Sequence, residues 1–225
     1  MTRGAALALG LALVGCAATG PSRDPLTADE HNDLGVAYFE RGESRRALGE
    51  FERAVALRPG WARALVNLGD TRLALGDVGG AIEAYRRAVA ITPDDPGAAN
   101  NLAWALLQDS ARWPEAEPII EGALARQPER RGYYLDTLGV LRLRKGDSQG
   151  ALDAFRAALA DTALRDGSSR ALVLEHAAEA LTRLGDPGGA ARCRALAEIE
   201  RTRRASRTAD AGGGPSPVGE QGSVC

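Results

Sequence analysis

Apolar residues recur three and four positions apart along most of the chain between positions 28 and 204. This spacing places one apolar stripe on each of a series of helices. A glycine and then a polar residue separate many of the helical stretches, as at Gly42, Gly76, Gly146 and Gly185. Such a glycine is typical of the left-handed position that ends a helix. The pattern therefore predicts antiparallel helix pairs and an all-α fold.

The helix pairs repeat with a period of about 34 residues. Leu34 and Gly35 of the first repeat correspond to Leu68 and Gly69 of the second. The two repeats also agree at Ala47, Phe51, Ala54 and Pro59, and then at Ala81, Tyr85, Ala88 and Pro93. Only the position of Tyr38 changes class, because Arg72 occupies it in the second repeat. Later repeats keep the register at Leu102, Ala103, Leu106, Ala116, Ile120, Ala123 and Pro128, and at Leu138, Gly139, Ala151, Phe155 and Ala158. A degenerate fifth repeat has Ala177, Ala178, Leu181, Ala190 and Ala197.

At these positions the chain resembles the tetratricopeptide repeat family. The resemblance implies an elongated, right-handed α-solenoid of about five helix-turn-helix repeats with disordered termini. The implied solenoid domain covers residues 28–204, with repeats at about 28–61, 62–95, 96–131, 132–165 and 171–204.

Several residue types have a direct structural purpose in these repeats. Small residues such as Gly69 let the paired helices approach closely, and aromatic residues fill the space around them. Pro118 falls inside the predicted second helix of the third repeat, so we expect that helix to begin late or to kink. Extra residues around Gly167 interrupt the period before the fifth repeat. We expect the second helices to be capped by Asp77, Asp147 and Asp186.

An apolar run near the N-terminus predicts export. Arg3 precedes the run from Gly4 to Val14, which is too short to span a bilayer and suits an export signal. The run leads into Gly15 and Cys16, and this junction resembles the lipobox of bacterial lipoproteins. The resemblance implies a signal peptide over residues 1–15 and a lipid on Cys16, which becomes the mature N-terminus. A cytosolic protein with an incidental apolar leader is the alternative.

The segments on either side of the solenoid lack a helical pattern. Residues 16–27 predict a short lipidated tether, and residues 205–225, rich in Gly and Pro, predict a disordered tail. Among bacterial lipoproteins an Asp after the cysteine favours retention in the inner membrane, but Ala17 stands here. The resemblance therefore implies an exported lipoprotein that faces the periplasm from the outer membrane.

Composition and motifs narrow the function classes. The 225 residues, 44% of them hydrophobic, can bury a substantial core, while a net charge of −2 is too small for a nucleic-acid surface. We expect no catalytic residues and no cofactor, because no nucleophile elbow, phosphate loop, paired catalytic carboxylates or cofactor fingerprint occurs. His31 and His176 lack the spacing of metal ligands, so we expect no metal site.

Two cysteines remain once Cys16 is assigned to the lipid. Cys193 and Cys225 can form a disulfide in an exported protein. Alternatively, Cys193 is a small core residue and Cys225 has no structural purpose. We favour the second interpretation, because Cys225 belongs to the predicted disordered tail.

Two classes of function remain. The favoured one is a lipid-anchored adaptor that holds another envelope protein and assists assembly of pilus, secretion, polysaccharide-export or cell-wall machinery. The alternative is a periplasmic chaperone-like carrier, or an enzyme, that acts directly on a substrate. An adaptor implies partners among envelope proteins, contact with the membrane through the lipid, and no nucleic acid.

The resemblance also implies where a partner binds. In the family, the first helices of the repeats line a concave groove. Its mixed apolar and amide character here suits an extended segment or an amphipathic helix. The family's clamp for C-terminal carboxylates is not implied, because Asn32, Gly97 and Asn101 stand where it needs basic residues. The residues expected to face the groove are Asn32, Val36, Phe39, Val66, Asn67, Asp70, Leu73, Asn100, Asn101, Trp104, Leu107, Tyr133, Asp136 and Val140, followed by Leu143.

Overall fold

The computed structural model of the protein describes residues 24–126, 129, 131–164 and 167–209. In this part of the chain it contains ten α-helices and no β-strand. The expected all-α fold is confirmed. The helices are α1 (Ala28–Glu40), α2 (Ser44–Leu57), α3 (Ala62–Ala74), α4 (Val78–Ile91), α5 (Pro96–Gln108), α6 (Ala116–Ala125), α7 (Arg131–Arg144), α8 (Ser148–Ala160), α9 (Gly167–Arg183) and α10 (Pro187–Ala209).

The helices stack in sequence order. Each helix packs against the next one along the chain, and the short turns between them make antiparallel pairs. The odd-numbered helices also contact one another in succession, α1 with α3, α3 with α5, α5 with α7 and α7 with α9. The first helix of every repeat therefore belongs to one continuous layer, and this layer carries the residues that are expected to line the groove.

The turns inside the pairs have the geometry that their glycines predict. Gly42, Gly76, Gly146 and Gly185 adopt φ angles of 76°, 82°, 83° and 81°, a region that glycine enters without steric cost. The predicted caps are confirmed as well, because an aspartate after three of these turns accepts a hydrogen bond from a backbone N–H of the next helix. The pairs are Asp77 with Gly80, Asp147 with Gly150, and Asp186 with Gly189.

The second helix of the third repeat begins late, as Pro118 predicts. A single 3-10 turn, Trp113–Glu115, comes first, and α6 begins only at Ala116. Pro118 thus lies in the first turn of α6, where a backbone N–H has no partner within the helix and its loss is tolerated. With ten residues, α6 is the shortest of the described α-helices.

The core lies between the helices and follows the stack as three clusters of buried side chains. Phe51, Tyr85 and Phe155 are the largest fully buried side chains, one in the second helix of each of three repeats. Each ring packs beside a small residue of the first helix. A Cβ added to Gly35, for example, would lie 2.7 Å from Cε1 of Phe51.

The C-terminal repeat differs from its prediction in three ways. The first helix of the fifth repeat, expected from about residue 171, begins at Gly167, so the extra residues around Gly167 form the first turn of α9. Residues 205–209, expected in the disordered tail, continue α10 to Ala209. Cys193 is fully buried, as the packing interpretation expects, but it is also disulfide-bonded, so the preference for an unpaired cysteine was wrong.

The expected signal peptide, the lipidation site Cys16, most of the tether and Cys225 lie outside the described residues. No helix in the described part has both the length and the apolar character that a membrane span requires.

Candidate partner-binding groove

Most of the expected groove residues are accessible on the layer of odd-numbered helices. Asp70, Trp104 and Val140 occupy equivalent positions of α3, α5 and α7, which lie side by side. Accessibility is the first requirement for contact with a partner. The residues that remain at least partly exposed are Val36, Phe39, Val66, Asn67, Asp70, Leu73, Asn100, Asn101, Trp104, Tyr133 and Val140.

Four expected residues are buried instead. Leu107 is only 1% exposed and belongs to the core cluster that also contains Leu106 and Leu141, so a partner cannot reach its side chain. Leu143, the continuation of the row, is buried in the same way. Asn32 and Asp136 are 4% and 8% exposed, and each is hydrogen-bonded to another side chain of the layer. Leu107 and Leu143 therefore support the groove from below and do not line it.

A cavity of about 200 Å³ opens on this layer between α3, α5 and α7. Seven of the expected groove residues line it, and the structure thus brings together residues that the sequence spreads over three repeats. Tyr85, Thr137 and Leu172 complete the wall. The full lining is Asp70, Leu73, Tyr85, Asn100, Asn101, Trp104, Tyr133, Asp136, Thr137 and Leu172.

Asp70 is the carboxylate on the α3 side of the cavity. The hydroxyl of Tyr85 donates to its Oδ1 over 2.5 Å, and Nδ2 of Asn101 donates to the same oxygen over 3.3 Å. Burial raises the pKa of Asp70, an effect that the hydrogen bond from Tyr85 only partly opposes. Burial, together with the charge of Asp70, also raises the pKa of Tyr85, so its hydroxyl stays protonated and remains a donor.

Asp136 is the carboxylate on the α7 side. Its Oδ1 lies 2.8 Å from Nδ1 of His176 in α9, and this ring nitrogen must carry the proton because an ionised carboxylate only accepts. Burial lowers the pKa of His176, but the hydrogen bond and charge of Asp136, with Glu179 and Glu175, outweigh that effect. The net pKa of His176 is raised. The imidazole also lies between two rings, 6.2 Å from Trp104 and 5.6 Å from Phe155.

The amide side chains of the groove differ in whether they have hydrogen-bond partners within the protein. Nδ2 of Asn67 donates to Oδ1 of Asn32 over 2.8 Å, which links α3 to α1. Oδ1 of Asn100, by contrast, is buried without a hydrogen-bond donor in the described part of the chain. A buried acceptor without a donor is unfavourable, so this atom is a candidate contact for a ligand that brings an N–H or O–H group.

Sequence reasoning missed three of the lining residues for separate reasons. Tyr85 belongs to a second helix and was expected only to fill the core, but its ring extends far enough for the hydroxyl to reach Asp70. Leu172 occupies the position of the degenerate fifth repeat that corresponds to Tyr133, and this register could have identified it. Thr137 corresponds in register to Asn101, a predicted groove residue, so the register could have identified Thr137 as well.

The groove does not form the basic clamp for carboxylates. Asn32 and Asn101 stand at two of the clamp positions, and both are engaged with neighbouring side chains of the layer, Asn67 and Asp70. Among the described residues, no group of three or more His, Cys, Asp or Glu side chains is placed to hold a metal ion.

Family models agree with the repeat register. Two models of the tetratricopeptide repeat match the chain, one over residues 32–96 and the other over residues 72–138. Residues 32–138 are tetratricopeptide repeats. Proteins built from such repeats are generally non-enzymatic scaffolds that bind other proteins. A comparison with curated proteins gave no match.

Solved structures share the solenoid fold. The tetratricopeptide protein TTC0263 of Thermus thermophilus has a TM-score of 0.64 and 25% identity, over 81% of this chain and 100% of its own. PilF of Pseudomonas aeruginosa has a TM-score of 0.63 and 21% identity, over 77% of this chain and 76% of its own. Cut9–Hcn1 of the APC/C has a TM-score of 0.72 and 19% identity. That match covers 80% of this chain but only 35% of the longer one.

Proposed function

We propose that this protein is a lipid-anchored scaffold that holds a segment of another envelope protein in the groove of its odd-numbered helices. The observation that carries the proposal is the cavity between α3, α5 and α7, where polar and aromatic side chains from several repeats converge. Concave sites between the helices of a helical protein are frequent binding sites.

The chemistry of the groove suits a peptide segment. Val36, Val66 and Val140 provide partly exposed apolar surface, while the amides of Asn67 and Asn100 can hydrogen-bond a backbone. The similarity to Cut9–Hcn1, which was solved as a hetero-tetramer, supports an assembly role for a solenoid of this shape. The likeness to PilF supports the same class of function by fold alone.

The lipid anchor and the envelope location rest on the N-terminal sequence. Cys16, after an apolar run that suits an export signal, would carry the lipid, and residues 17–27 would tether the solenoid near the membrane surface. A scaffold held in this way meets its partner at the membrane, most directly at the outer membrane. The partner would then belong to pilus, secretion, polysaccharide-export or cell-wall machinery.

The test is capture of partners from solubilised membranes by the wild-type protein and by a Trp104→Ala, Asn67→Ala double variant. We expect the double variant to lose the specific partner while its helical circular dichroism stays unchanged, because aromatic anchors dominate interfaces. The matched control is Leu57→Ala, which removes a side chain 56% exposed on α2, outside the layer.

Two results would contradict the proposal. Equal capture by the folded double variant would place the partner on another surface. Broad binding of unfolded chains without a dedicated partner, or turnover of a substrate, would instead favour the alternative of a carrier or an enzyme.

A further inference from the structure

We propose that the cavity between α3, α5 and α7 binds one positively charged side chain, a lysine or an arginine, from the partner segment. The proposal rests on the groove function above and makes it more specific, since it states which residue type the partner must present. Four independent properties of the cavity point to a cation: its unused acceptors, its charge, its size and its aromatic wall.

Three hydrogen-bond donors of the lining are engaged within the protein. The Tyr85 hydroxyl and the Asn101 amide both donate to Oδ1 of Asp70, and the Thr137 hydroxyl donates to the backbone oxygen of Tyr133. Acceptors remain for a ligand, because no described residue donates to the buried Oδ1 of Asn100, and Asp70 has a second carboxylate oxygen besides Oδ1. A ligand that brings donors can satisfy these acceptors, and an ammonium or guanidinium group brings only donors.

The lining is negatively charged. Asp70 and Asp136 contribute two carboxylates, and none of the ten described lining residues is Lys, Arg or His. The cation that pairs with Asp136 is His176, which also faces Glu175 and Glu179 on its own helix. Because attraction between charges is strong where water is excluded, a cation is drawn into this site and a carboxylate is repelled.

The burial of Asp70 is consistent with a site for a cation. Burial raises the pKa of this carboxyl, and the Tyr85 hydrogen bond opposes the rise only in part. A positive charge placed next to it would favour the ionised form and lower the pKa again.

The size of the cavity fits one side chain. Its volume of about 200 Å³ is below the roughly 300–1,000 Å³ of sites that hold whole small molecules. Leu73 and Leu172 offer apolar surface to the methylene stem of a lysine or arginine, which such residues bury readily. Trp104 provides the indole, the ring that attracts cations most strongly.

A peptide selection tests the proposal without knowledge of the natural partner. Random short peptides displayed on phage are selected on the purified full chain, and binders that depend on Trp104 are kept. We expect a lysine or arginine at one fixed position of these peptides. Replacing it by norleucine for lysine, or by citrulline for arginine, should weaken binding by about tenfold or more, the loss expected for a charge-assisted hydrogen bond.

The same peptides are then measured on three variants of the protein. Asp70→Asn and Asp136→Asn keep the shape of each side chain but remove its charge, and Asp94→Asn is the control, because that carboxylate is 96% exposed in a turn. The two cavity variants should lose affinity for the basic peptide only, and should bind the neutral peptide as the wild type does. Asp94→Asn should bind both peptides as the wild type does.

The results of the selection distinguish a failure of the cation site from a failure of the proposed groove function. Trp104-dependent binders that lack a basic residue, or that tolerate its neutral replacement, would overturn the cation site and leave the groove function intact. A selection that yields no Trp104-dependent binder at all would contradict the groove function itself. Circular dichroism of each variant establishes that a loss of binding is not a loss of fold.

Discussion

Gly69 of α3 lies against the ring of Tyr85 in α4, so close that a Cβ at position 69 would stand 2.5 Å from Cε1 of that ring. Atoms separated by this distance overlap, so the position admits only glycine while the ring stays in place. The contact also serves the groove. Because the ring lies flat against α3, its hydroxyl reaches Asp70, the residue next to Gly69, over 2.5 Å.

The other repeats show the same pairing between a small residue of the first helix and the residue that packs against it from the second helix. Where the small residue of the first helix is glycine, the second helix supplies an aromatic ring, and where it is alanine the ring is absent. The extra methyl group of alanine occupies the space that a ring would need. The pairs are Gly35 with Phe51, Gly69 with Tyr85, Gly139 with Phe155, Ala103 with Ile120, and Ala178 with Arg194.

We predict that Gly69→Leu destabilises the protein by about 1–3 kcal/mol, because the new side chain must displace the Tyr85 ring. The measurement is the midpoint of urea unfolding. Gly49→Leu is the matched control, since Gly49 lies within α2 and an added Cβ there meets no atom within 4 Å. Similar losses for both variants would contradict the close-packing argument.

The sequence was sufficient for the helix pairs, their turns and their caps, because each depends on residues close together in the chain. Gly76 and Asp77, for example, end one helix and cap the next by local geometry alone. Which groove residues are accessible could not be predicted in the same way. Leu107 has the register of a groove residue, but packing in the cluster with Leu141 of the following repeat buries it.

The contacts that form the cavity could not be predicted from the sequence, because they depend on how separate helices pack. Tyr85 and Asp70 are 15 positions apart, and their hydrogen bond depends on how one helix of a pair lies against the other. His176 and Asp136 are 40 positions apart, in neighbouring repeats whose spacing is irregular. Because insertions before the fifth repeat hide the correspondence, nothing in the spacing connects these two residues.

We predict that Asp147→Ala costs about 0.5–2 kcal/mol of stability, the usual effect of losing an N-cap side chain. Its carboxylate accepts the backbone N–H of Gly150 over 2.9 Å at the start of α8. Glu43→Ala is the control, because Glu43 holds the same position before α2 but makes no capping hydrogen bond. A comparable loss at Glu43 would show that the turn, and not the cap, is responsible.

We predict that Cys16→Ala abolishes fatty-acid labelling and leaves an unprocessed precursor, because the thiol that carries the lipid is removed. The wild type should partition into membranes, since each buried methylene of the lipid contributes about 0.8 kcal/mol. Metabolic labelling with a radioactive fatty acid, followed by membrane fractionation, measures both effects. Cys193→Ala is the control and should be labelled as the wild type is. Undiminished labelling of the Cys16 variant would refute the lipobox interpretation.

We predict that the pairing of His176 with Asp136 makes the stability of the protein depend on pH. Burial lowers the pKa of His176, but the hydrogen bond and charge of Asp136 outweigh it, so the net pKa is raised above its ordinary value of 6.5. A raised pKa in the folded state means that the protonated ring favours folding. Its contribution is therefore complete below about pH 6.5 and is lost as pH rises through the higher pKa of the folded state.

The measurement compares unfolding midpoints of the wild type and His176→Gln from about pH 5 to about pH 8, the range in which histidine titrates. The unfolding midpoint of the wild type should exceed that of the variant most at acidic pH, and this difference should shrink as the pH rises. The two proteins differ only at position 176, so the difference between their midpoints isolates the contribution of the His176 ring. A difference that stays constant, or grows with pH, would mean that the His176 ring does not gain a charged partner on folding.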